Sequence, residues 1–205
     1  MHARMAPLSV TVWSDYVCPW CYIGTSELAT LEGEFEFKVD WRPFMLRPDA
    51  PEEGWELPER IRASIADPNN PLKLRAQKLG ITINHRMQVP NSRRAHEATE
   101  YARAHGKLEA FHHEVLVRYW THGDDIHDWA VLKAVAAHAG LDGEEMQREV
   151  DAGKWKAAVD AGLEAAAEVG VSAVPTFVIG EKFGVQGAQE AAVFRQAFKR
   201  LQSGI

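Results

Sequence analysis

The fold of this chain is decided by one segment, Ser14-Asp15-Tyr16-Val17-Cys18-Pro19-Trp20-Cys21-Tyr22-Ile23-Gly24, which holds the only two cysteines among 205 residues. Two thiols three positions apart can form a disulfide with each other. The preceding stretch, Leu8 to Trp13, is rich in β-branched residues and predicts a short strand, whereas Leu28 to Leu31 indicates a helix. A Cys-x-x-Cys pair at such a strand-to-helix turn is typical of thiol-disulfide redox proteins.

The position of the first cysteine at a helix start predicts different roles for the two thiols. Pro19 suits the first helical position, because an N–H there would have no partner in the helix. The thiol of Cys18 then faces unpaired amides and the positive end of the helix dipole, which favour thiolate over thiol. Cys21 lies one turn inside the helix. We therefore expect an exposed nucleophile at Cys18 and a recessed, less acidic thiol at Cys21.

Composition and charge restrict the class of protein. With 46% hydrophobic residues, the chain can form one substantial core, or a core domain that carries an insertion. Its 29 acidic and 23 basic residues give a formal charge of −6, and it has no long basic run, so we expect no nucleic-acid partner. Met1 to Pro7 lacks the apolar core of a signal peptide, and no segment approaches about 18 consecutive apolar residues. These features predict a cytoplasmic protein that does not contact membranes.

A lone cysteine pair in the reducing cytoplasm is catalytic, redox-sensing or metal-binding more often than structural. Zinc usually takes four ligands. Besides the pair, the chain offers only scattered histidines such as His112 and His113. We therefore expect no metal and favour redox chemistry over a zinc site or a passive pair of buried thiols.

The pattern of apolar residues changes twice along the chain. Glu34 to Arg42 alternates apolar and charged residues, which predicts a half-buried strand, and the charged face followed by Pro43 is typical of a sheet edge. From about residue 58 to 155 the apolar residues recur at three- and four-residue steps, as in helices. Asp142 and Glu145 have the spacing of a capping box, so a helix is expected to begin there.

The end of the chain returns to strand character. A helix through Val159 to Val169 precedes Thr176 to Ile179, a turn at Gly180-Glu181, and Lys182 to Val185, which together predict a hairpin. Ala188 to Leu201 closes the chain as an amphipathic helix. The order predicts an α/β protein in which residues 1–50 (βαβ) and 156–205 (αββα) build a mixed sheet, and residues 51–155 form a helical insertion domain.

Four separated pieces of the sequence resemble the DsbA-like oxidoreductases of the thioredoxin fold, and within them the cytoplasmic FrnE-like group. They are the cysteine segment, Asn91-Ser92-Arg93-Arg94-Ala95-His96, Gly123-Asp124-Asp125-Ile126, and Gly170-Val171-Ser172-Ala173-Val174-Pro175-Thr176-Phe177-Val178-Ile179 with Gly187-Ala188-Gln189. The resemblance spans nearly the whole chain. It implies a thioredoxin fold with a mixed four-stranded sheet and a large all-helical insertion.

The resemblance also implies roles for particular residues. Cys18 would be the attacking thiolate and Cys21 the resolving thiol, and Val174–Pro175 would be a cis peptide beside them. A cis bond would turn the backbone of Val174 towards the cysteines, where it can pair with an extended substrate. Independently of the resemblance, Pro19 and Trp20, which lie between the cysteines, are candidate substrate-binding residues. Trp20 and Tyr22 form either an apolar rim for the substrate or part of the core, and we expect Trp20 to be exposed. Periplasmic relatives usually carry histidine between the cysteines, where this chain has Trp20.

Three further positions have two interpretations each. Related isomerases that bind glutathione place polar residues of the equivalent loop over the thiol, so Asn91 and Ser92 are candidate substrate-binding residues, although capping a helix is the commoner use of such residues. The carboxylate of Asp15 either accepts the proton that Cys21 loses or caps the motif loop, and we favour the cap. His96, His112 and His113 are expected to be packed or surface histidines rather than catalytic bases.

These observations predict a thiol-disulfide oxidoreductase or protein disulfide isomerase that uses the Cys18/Cys21 couple on protein disulfides or thiols, as a monomer or homodimer. The alternative is a glutathione-dependent small-molecule isomerase or transferase of the same fold. Such enzymes usually need one hydroxyl or thiol to orient the glutathione sulfur, so the second cysteine favours redox chemistry. We expect no resident cofactor, with glutathione as a candidate redox partner or co-substrate. A redox-sensing module is disfavoured, because no segment resembles an output domain.

Overall fold

A four-stranded mixed sheet forms the centre of the computed structural model, which describes residues 7–203. The strands lie in the order β2-β1-β5-β6, with bounds β1 Leu8–Ser14, β2 Phe37–Pro43, β5 Thr176–Ile179 and β6 Phe183–Gln186. β1 pairs parallel with β2 and antiparallel with β5, and β5 pairs antiparallel with β6. The predicted α/β fold, with its mixed sheet built from both ends of the chain and its terminal hairpin, is confirmed.

Helices surround this sheet and form most of the segment between β2 and β5. Within residues 7–203 they are α1 Pro19–Ala29, α2 Glu59–Ala66, α3 Pro71–Leu79, α4 Arg93–Ala104, α5 Leu108–Val117, α6 Trp129–His138, α7 Gly143–Asp151, α8 Lys156–Glu168 and α9 Ala191–Gln202. A π-helical turn, Arg118–His122, directly follows α5. The side chain of Asp142 accepts hydrogen bonds from the N–H groups of Glu144 and Glu145, so the predicted start of α7 is confirmed. None of these helices is long and apolar enough to cross a membrane.

The insertion contains a small sheet that corrects one detail of the predicted all-helical segment. β3, Trp55–Glu56, pairs antiparallel with β4, Gln88–Val89. Strands of two residues are too short to show a period in the sequence, whereas the long helical pattern around them dominates it. The division into residues 1–50, 51–155 and 156–205 stays a prediction, and its ends at residues 1–6 and 204–205 lie outside the described part of the chain.

Strand β2 is shorter than the alternating segment that predicted it. It begins at Phe37 rather than at Glu34. Phe35 instead forms a bridge with Glu32, and its ring packs against Phe198 of α9 at a centroid distance of 5.1 Å. The position of β2 at an edge of the sheet agrees with the prediction.

Two large apolar clusters form most of the core, and one of them contains residues of the cysteine segment. One packs the sheet against α1 and α9 and includes Val12, Phe177 and Phe194. The other lies among α4 to α7, yet it also contains Tyr16, Val17 and Tyr22. The residues on either side of the cysteines therefore belong to the helical core. β1 and β2 run parallel, and β5 runs in the opposite direction. The same end of the sheet therefore holds the last residues of β1 and β2, the first residues of β5 and the start of α1.

Candidate functional site

Cys18 occupies the N-cap of α1, as the sequence predicted. Its backbone is extended, with φ −92° and ψ 112°, and Pro19 opens the helix. The N–H of Cys18 donates to the carbonyl of Asp15 at 3.1 Å, which closes a tight loop between β1 and α1. No side chain caps the helix. The N–H groups of the first turn of α1 therefore have no side-chain acceptor at the N-cap.

Both cysteines are free thiols, and both are buried. The exposed fraction is 5% for Cys18 and 0% for Cys21. The prediction of an exposed Cys18 is wrong, because the Cys18 Sγ lies beneath the Val174 segment and donates to the Val174 carbonyl at 3.8 Å. The predicted order holds, since Cys21 is the more deeply placed thiol.

The surroundings of Cys21 keep its proton in place. Burial raises the pKa of the Cys21 thiol well above its ordinary value, and the neighbouring Cys18 raises that pKa further. A protonated sulfur is a poor nucleophile, because the thiolate is the form that attacks. Cys21 can therefore react only after it has lost its proton. Cys21 thus has the properties of a resolving thiol.

The Val174–Pro175 peptide bond is cis and lies at the start of β5, beside α1. Gly24 of α1 allows this close approach, because a Cβ at Gly24 would lie 3.0 Å from Pro175 Cγ and 3.0 Å from Phe177 Cζ. The carbonyl of Pro175 accepts a hydrogen bond from the Gly187 N–H at 2.7 Å. This loop is thereby held between α1 and the segment that follows β6.

The carboxylate of Asp15 fixes the loop before the cysteines. It is 1% exposed, and it accepts hydrogen bonds from the N–H groups of Leu46 at 2.8 Å and Val17 at 3.4 Å. These contacts match the loop-capping interpretation. His96 Nε2 lies 3.5 Å from Asp15 Oδ1 but makes no hydrogen bond. The proximity of His96 to Asp15 was not predicted from the sequence, although His96 is the last residue of the Asn91–His96 motif.

A buried aromatic cluster supports the loop from the side of the insertion. The Tyr16 hydroxyl hydrogen-bonds with Thr99 Oγ1 at 2.5 Å and with His112 Nδ1 at 2.9 Å, and His112 stacks on Trp41 with centroids 4.1 Å apart. Burial lowers the pKa of His112 well below its usual value, with a smaller effect from the charge of His96. His112 is therefore a neutral, packed histidine, as expected from the sequence.

Asn91 and Ser92 begin α4, as their interpretation as helix-start residues predicts. The Asn91 side chain accepts from the Arg93 N–H at 2.8 Å and donates to the Ala50 carbonyl at 2.6 Å. Ser92 is at the N-cap position and buried, but its side chain makes no capping bond. The amide of Asn91 therefore does the capping, and a contact of either residue with substrate stays a prediction.

A cavity of about 280 Å³ opens beside the first turn of α1. Trp20 lines it and is 37% exposed, as predicted, whereas Tyr22 is buried and hydrogen-bonds with Thr121. The other walls come from the insertion and include Leu57, Ile61, Ile65, Leu72, His85, Arg86, Val89, Tyr119 and Trp120. Sequence reasoning missed these residues, because they are distant in the chain and no local pattern joins them.

Metal-binding side chains do not gather near the cysteines. Between residues 7 and 203, no group of three or more His, Cys, Asp or Glu side chains is arranged to hold a metal ion. The site therefore contains two neighbouring thiols. Cys18 lies at the N-terminus of α1, and the protonated Cys21 lies one turn further along the helix.

The chain is 27% identical to the protein of Bacillus subtilis (strain 168) named "Uncharacterized protein YwbO", over 94% of this chain and 96% of that protein. The crystal structure of a probable DsbA oxidoreductase from Streptomyces coelicolor is 26% identical, with a TM-score of 0.85 over 96% of this chain and 90% of that one.

More distant solved structures share the fold. A 2-hydroxychromene-2-carboxylate isomerase has 20% identity and a TM-score of 0.79, covering 94% of this chain and 95% of that one. The cytosolic disulfide reductase DsbM from Pseudomonas aeruginosa, determined with GSH, has 19% identity and a TM-score of 0.69, covering 97% and 100%. The family model described as a DSBA-like thioredoxin domain matches residues 9–199. The chain therefore belongs to the family of DSBA-like thioredoxin domains.

Proposed function

We propose that this protein is a cytoplasmic thiol-disulfide oxidoreductase that acts on protein disulfides or thiols through Cys18 and Cys21. The main support for the proposal is that the two thiols differ in their position on α1 and in their burial. Cys18 occupies the N-cap position of α1, where no side chain makes a capping hydrogen bond, and Cys21 lies fully buried one turn behind it. A helix N-terminus stabilises a thiolate, and the thiolate is the form that attacks a disulfide.

In the reducing direction, the Cys18 thiolate attacks one sulfur of a substrate disulfide. The bond between Cys18 and that sulfur forms as the substrate S–S bond breaks, and the second substrate sulfur leaves as a thiolate. Cys21 then loses its proton and attacks the Cys18 sulfur. This step releases the first substrate sulfur as a thiolate and leaves a Cys18–Cys21 disulfide, so two electrons pass to the substrate. The oxidising direction is the reverse, and isomerisation needs only attack and release at Cys18.

The backbone beside the thiols suits an extended substrate. The Val174 carbonyl, which accepts from the Cys18 Sγ in the free protein, faces the position that a mixed disulfide would occupy. A peptide that pairs with this segment would lie across Cys18 as an added strand. This placement favours a polypeptide as the substrate.

The second candidate is a glutathione-dependent isomerase or transferase that acts on small molecules. It is favoured by the cavity beside Trp20 and by the fold shared with an isomerase and with a reductase determined with GSH. In that chemistry Cys18 would orient the glutathione sulfur, and Cys21 would have no role.

The two candidates are separated by insulin reduction and a glutathione-conjugation assay on the wild type and on Cys21→Ser. The oxidoreductase proposal expects insulin reduction by the wild type and its loss in Cys21→Ser, with no conjugation by either protein. Conjugation that survives Cys21→Ser, together with absent insulin reduction, would overturn the proposal in favour of the second candidate.

A further inference from the structure

A second, much smaller cavity of about 10 Å³ is enclosed by residues of β1, β2, α4 and α5. Its lining includes Ser14, Tyr16, His96, Thr99 and His112. It shares no lining residue with the cavity beside Trp20. Its volume is about that of one water-sized sphere, which is the minimum that a buried water needs.

Three buried polar atoms of the residues around this cavity have no hydrogen-bond partner within residues 7–203. They are Ser14 Oγ, His96 Nε2 and His112 Nε2. A buried polar atom without a partner costs free energy, and ordered water commonly provides the missing hydrogen bond. A buried water typically makes about three hydrogen bonds. The number of these atoms and the size of the cavity therefore both match a single water.

The hydrogen bonds of Tyr16 assign the proton of His112. The Thr99 hydroxyl donates its only proton to the Ala95 carbonyl at 2.8 Å, so it accepts from the Tyr16 hydroxyl. The Tyr16 oxygen then accepts from Nδ1–H of His112 at 2.9 Å. His112 Nε2 is consequently an acceptor, and a water in the cavity can donate to it.

Ser14 connects the cavity with the resolving thiol. Burial is the largest influence on the pKa of Cys21 and raises it, whereas the N–H of Asp15 and the hydroxyl of Ser14 lower it. Both groups therefore face the Cys21 sulfur. The Ser14 hydroxyl makes no hydrogen bond of ordinary geometry within residues 7–203, so its proton is able to point towards either the sulfur or the cavity.

His96 lies beside a carboxylate that can stabilise a transferred proton. Its Nε2 is 3.5 Å from Asp15 Oδ1, and an opposite charge at this distance favours the charged form of an imidazole. His112 is the poorer acceptor, because burial and the charge of His96 lower its pKa. The other charged side chains that line the cavity form ion pairs, Glu100 with Arg103 at 2.8 Å and Arg42 with Asp40 at 2.6 Å.

We propose that one water in this cavity completes a path along which Cys21 passes its proton to His96. The proton of Cys21 moves to Ser14 Oγ, the proton of Ser14 moves to the water, and a proton of the water moves to His96 Nε2. The Cys21–Cys18 bond forms as the bond between Cys18 and the substrate sulfur breaks, and the substrate leaves as a thiolate. This step rests on the proposed function and gives His96 a role in its second half.

The test separates the two halves of the reaction with one equivalent of dithionitrobenzoate, a symmetric aromatic disulfide. Attack by Cys18 releases the first nitrothiobenzoate, and attack by Cys21 releases the second, so stopped-flow absorbance records two phases. The rate of the second phase is independent of protein concentration, because both thiols belong to one molecule. The path proposed above acts only on this second phase.

Two variants interrupt the path at different atoms. His96→Gln retains a polar side chain that cannot take up a proton, and Ser14→Ala removes the hydroxyl. Each should slow the second phase at least about tenfold at pH 7 and leave the first phase within about twofold of the wild type. The matched control is His113→Gln, which changes an exposed histidine that does not line the cavity and should keep both rates. Circular dichroism verifies that each variant is folded.

The pH profile distinguishes proton transfer from a structural effect. In the wild type the second-phase rate should rise with pH and then level off, once His96 is neutral. In His96→Gln it should continue to rise about tenfold per pH unit up to about pH 9, because hydroxide then removes the Cys21 proton. A variant that is only distorted would keep the wild-type shape at a lower rate, and this result would overturn the proposal.

A crystal structure of the wild type tests the water without any variant. It should show one water within about 3.2 Å of Ser14 Oγ and of both Nε2 atoms. Absence of this water, or a second phase that stays unchanged in both His96→Gln and Ser14→Ala, would overturn the proposal and leave the proposed function intact. A wild type that releases only one nitrothiobenzoate would instead overturn the proposed function.

Discussion

Cys18 and Cys21 have the same side chain, and their different properties come from their positions in the fold. Cys18 occupies the N-cap position of α1, whereas Cys21 is enclosed in the core, where burial raises its pKa. The first position was predictable, since a helix cap depends on neighbouring residues. The burial of Cys18 was not predictable, because Val174, which covers the sulfur, lies 156 positions away in the chain.

Replacement of the resolving thiol should trap the first half of the reaction. In Cys21→Ser the Cys18 thiolate still attacks a disulfide, but no second thiol releases the product. We expect most of the Cys21→Ser protein to be present as the mixed disulfide within one turnover, whereas Cys18→Ser should form no mixed disulfide. Intact-protein mass spectrometry after acid quench measures both. A trapped adduct on Cys21 in Cys18→Ser would contradict the assigned roles.

His112 should make the stability of the protein depend on pH. Burial lowers the pKa of His112 in the folded protein, so the unfolded chain binds a proton first as the pH falls below about 6.5. The unfolded state then gains protons that the folded state does not, and the free energy of unfolding decreases by up to about 1.4 kcal/mol per pH unit until the lowered folded pKa is reached.

Urea unfolding at pH values between 7 and 5 measures this dependence. His112→Gln should show a shallower decrease than the wild type over that window. The exposed neighbour His113 provides the matched control, since His113→Gln removes an imidazole from solvent rather than from the core. Identical slopes for the wild type and His112→Gln would contradict the assignment of a neutral His112.

At the scale of elements, periodicity predicted the helices and strands, and local rules placed several of their ends. The cap at Asp142 and the edge position of β2 depended on residues close in sequence. The two-residue strands β3 and β4 and the start of β2 at Phe37 depended on tertiary contacts, which a single segment does not encode. The cavity beside Trp20 has the same origin, because it lies between α1, α2, α3 and the π-helical turn.

A buried ion pair connects three helices. Glu27 of α1 pairs with Arg75 of α3 at 2.6 Å and accepts from the Ala191 N–H of α9 at 3.0 Å. Arg75→Ala leaves a buried carboxylate without its cation, and we expect a loss of about 2–3 kcal/mol in the free energy of unfolding. The exposed pair Arg195–Glu34 is the control, where Arg195→Ala should cost less than about 1 kcal/mol. Equal losses in urea unfolding would show that burial of the pair has no effect.

Helix α8 packs closely on β2 through a glycine. A Cβ at Gly162 would lie 2.5 Å from Pro43 Cγ and 2.7 Å from Pro43 Cδ. Gly162→Ala should therefore destabilise the protein by about 1–3 kcal/mol, despite the better helix propensity of alanine. Gly184→Ala, where a Cβ meets no atom within 4 Å, should leave the thermal midpoint nearly unchanged. A stabilised Gly162→Ala variant would refute this packing.

At the scale of the whole molecule, the insertion and the thioredoxin part share the segment around the cysteines. Tyr16, Val17 and Tyr22 lie in the apolar cluster of the insertion, while α1 packs against the sheet. We therefore expect one cooperative transition. Far-ultraviolet circular dichroism, tryptophan fluorescence and the reactivity of Cys21 should give the same urea midpoint. Separated midpoints would show that the insertion unfolds on its own.

The pattern of the whole chain was sufficient to predict a sheet assembled from its two ends, since strand signals flank a long helical region. The cavity beside Trp20 was not readable in this way. Its walls come from segments up to about a hundred residues apart, from Val17 to Trp120.

The central claim is that Cys18 and Cys21 act as one two-electron couple. It is tested most directly by equilibrating the wild-type protein with glutathione buffers of graded potential, followed by acid quench, alkylation and mass spectrometry. Because exchange through a mixed disulfide ends in an intramolecular bond, the account predicts a single two-electron transition between dithiol and Cys18–Cys21 disulfide, in which a tenfold change in equilibrium constant corresponds to about 30 mV. A chain that carries only glutathione on Cys18, with no Cys18–Cys21 disulfide at any potential, would contradict it.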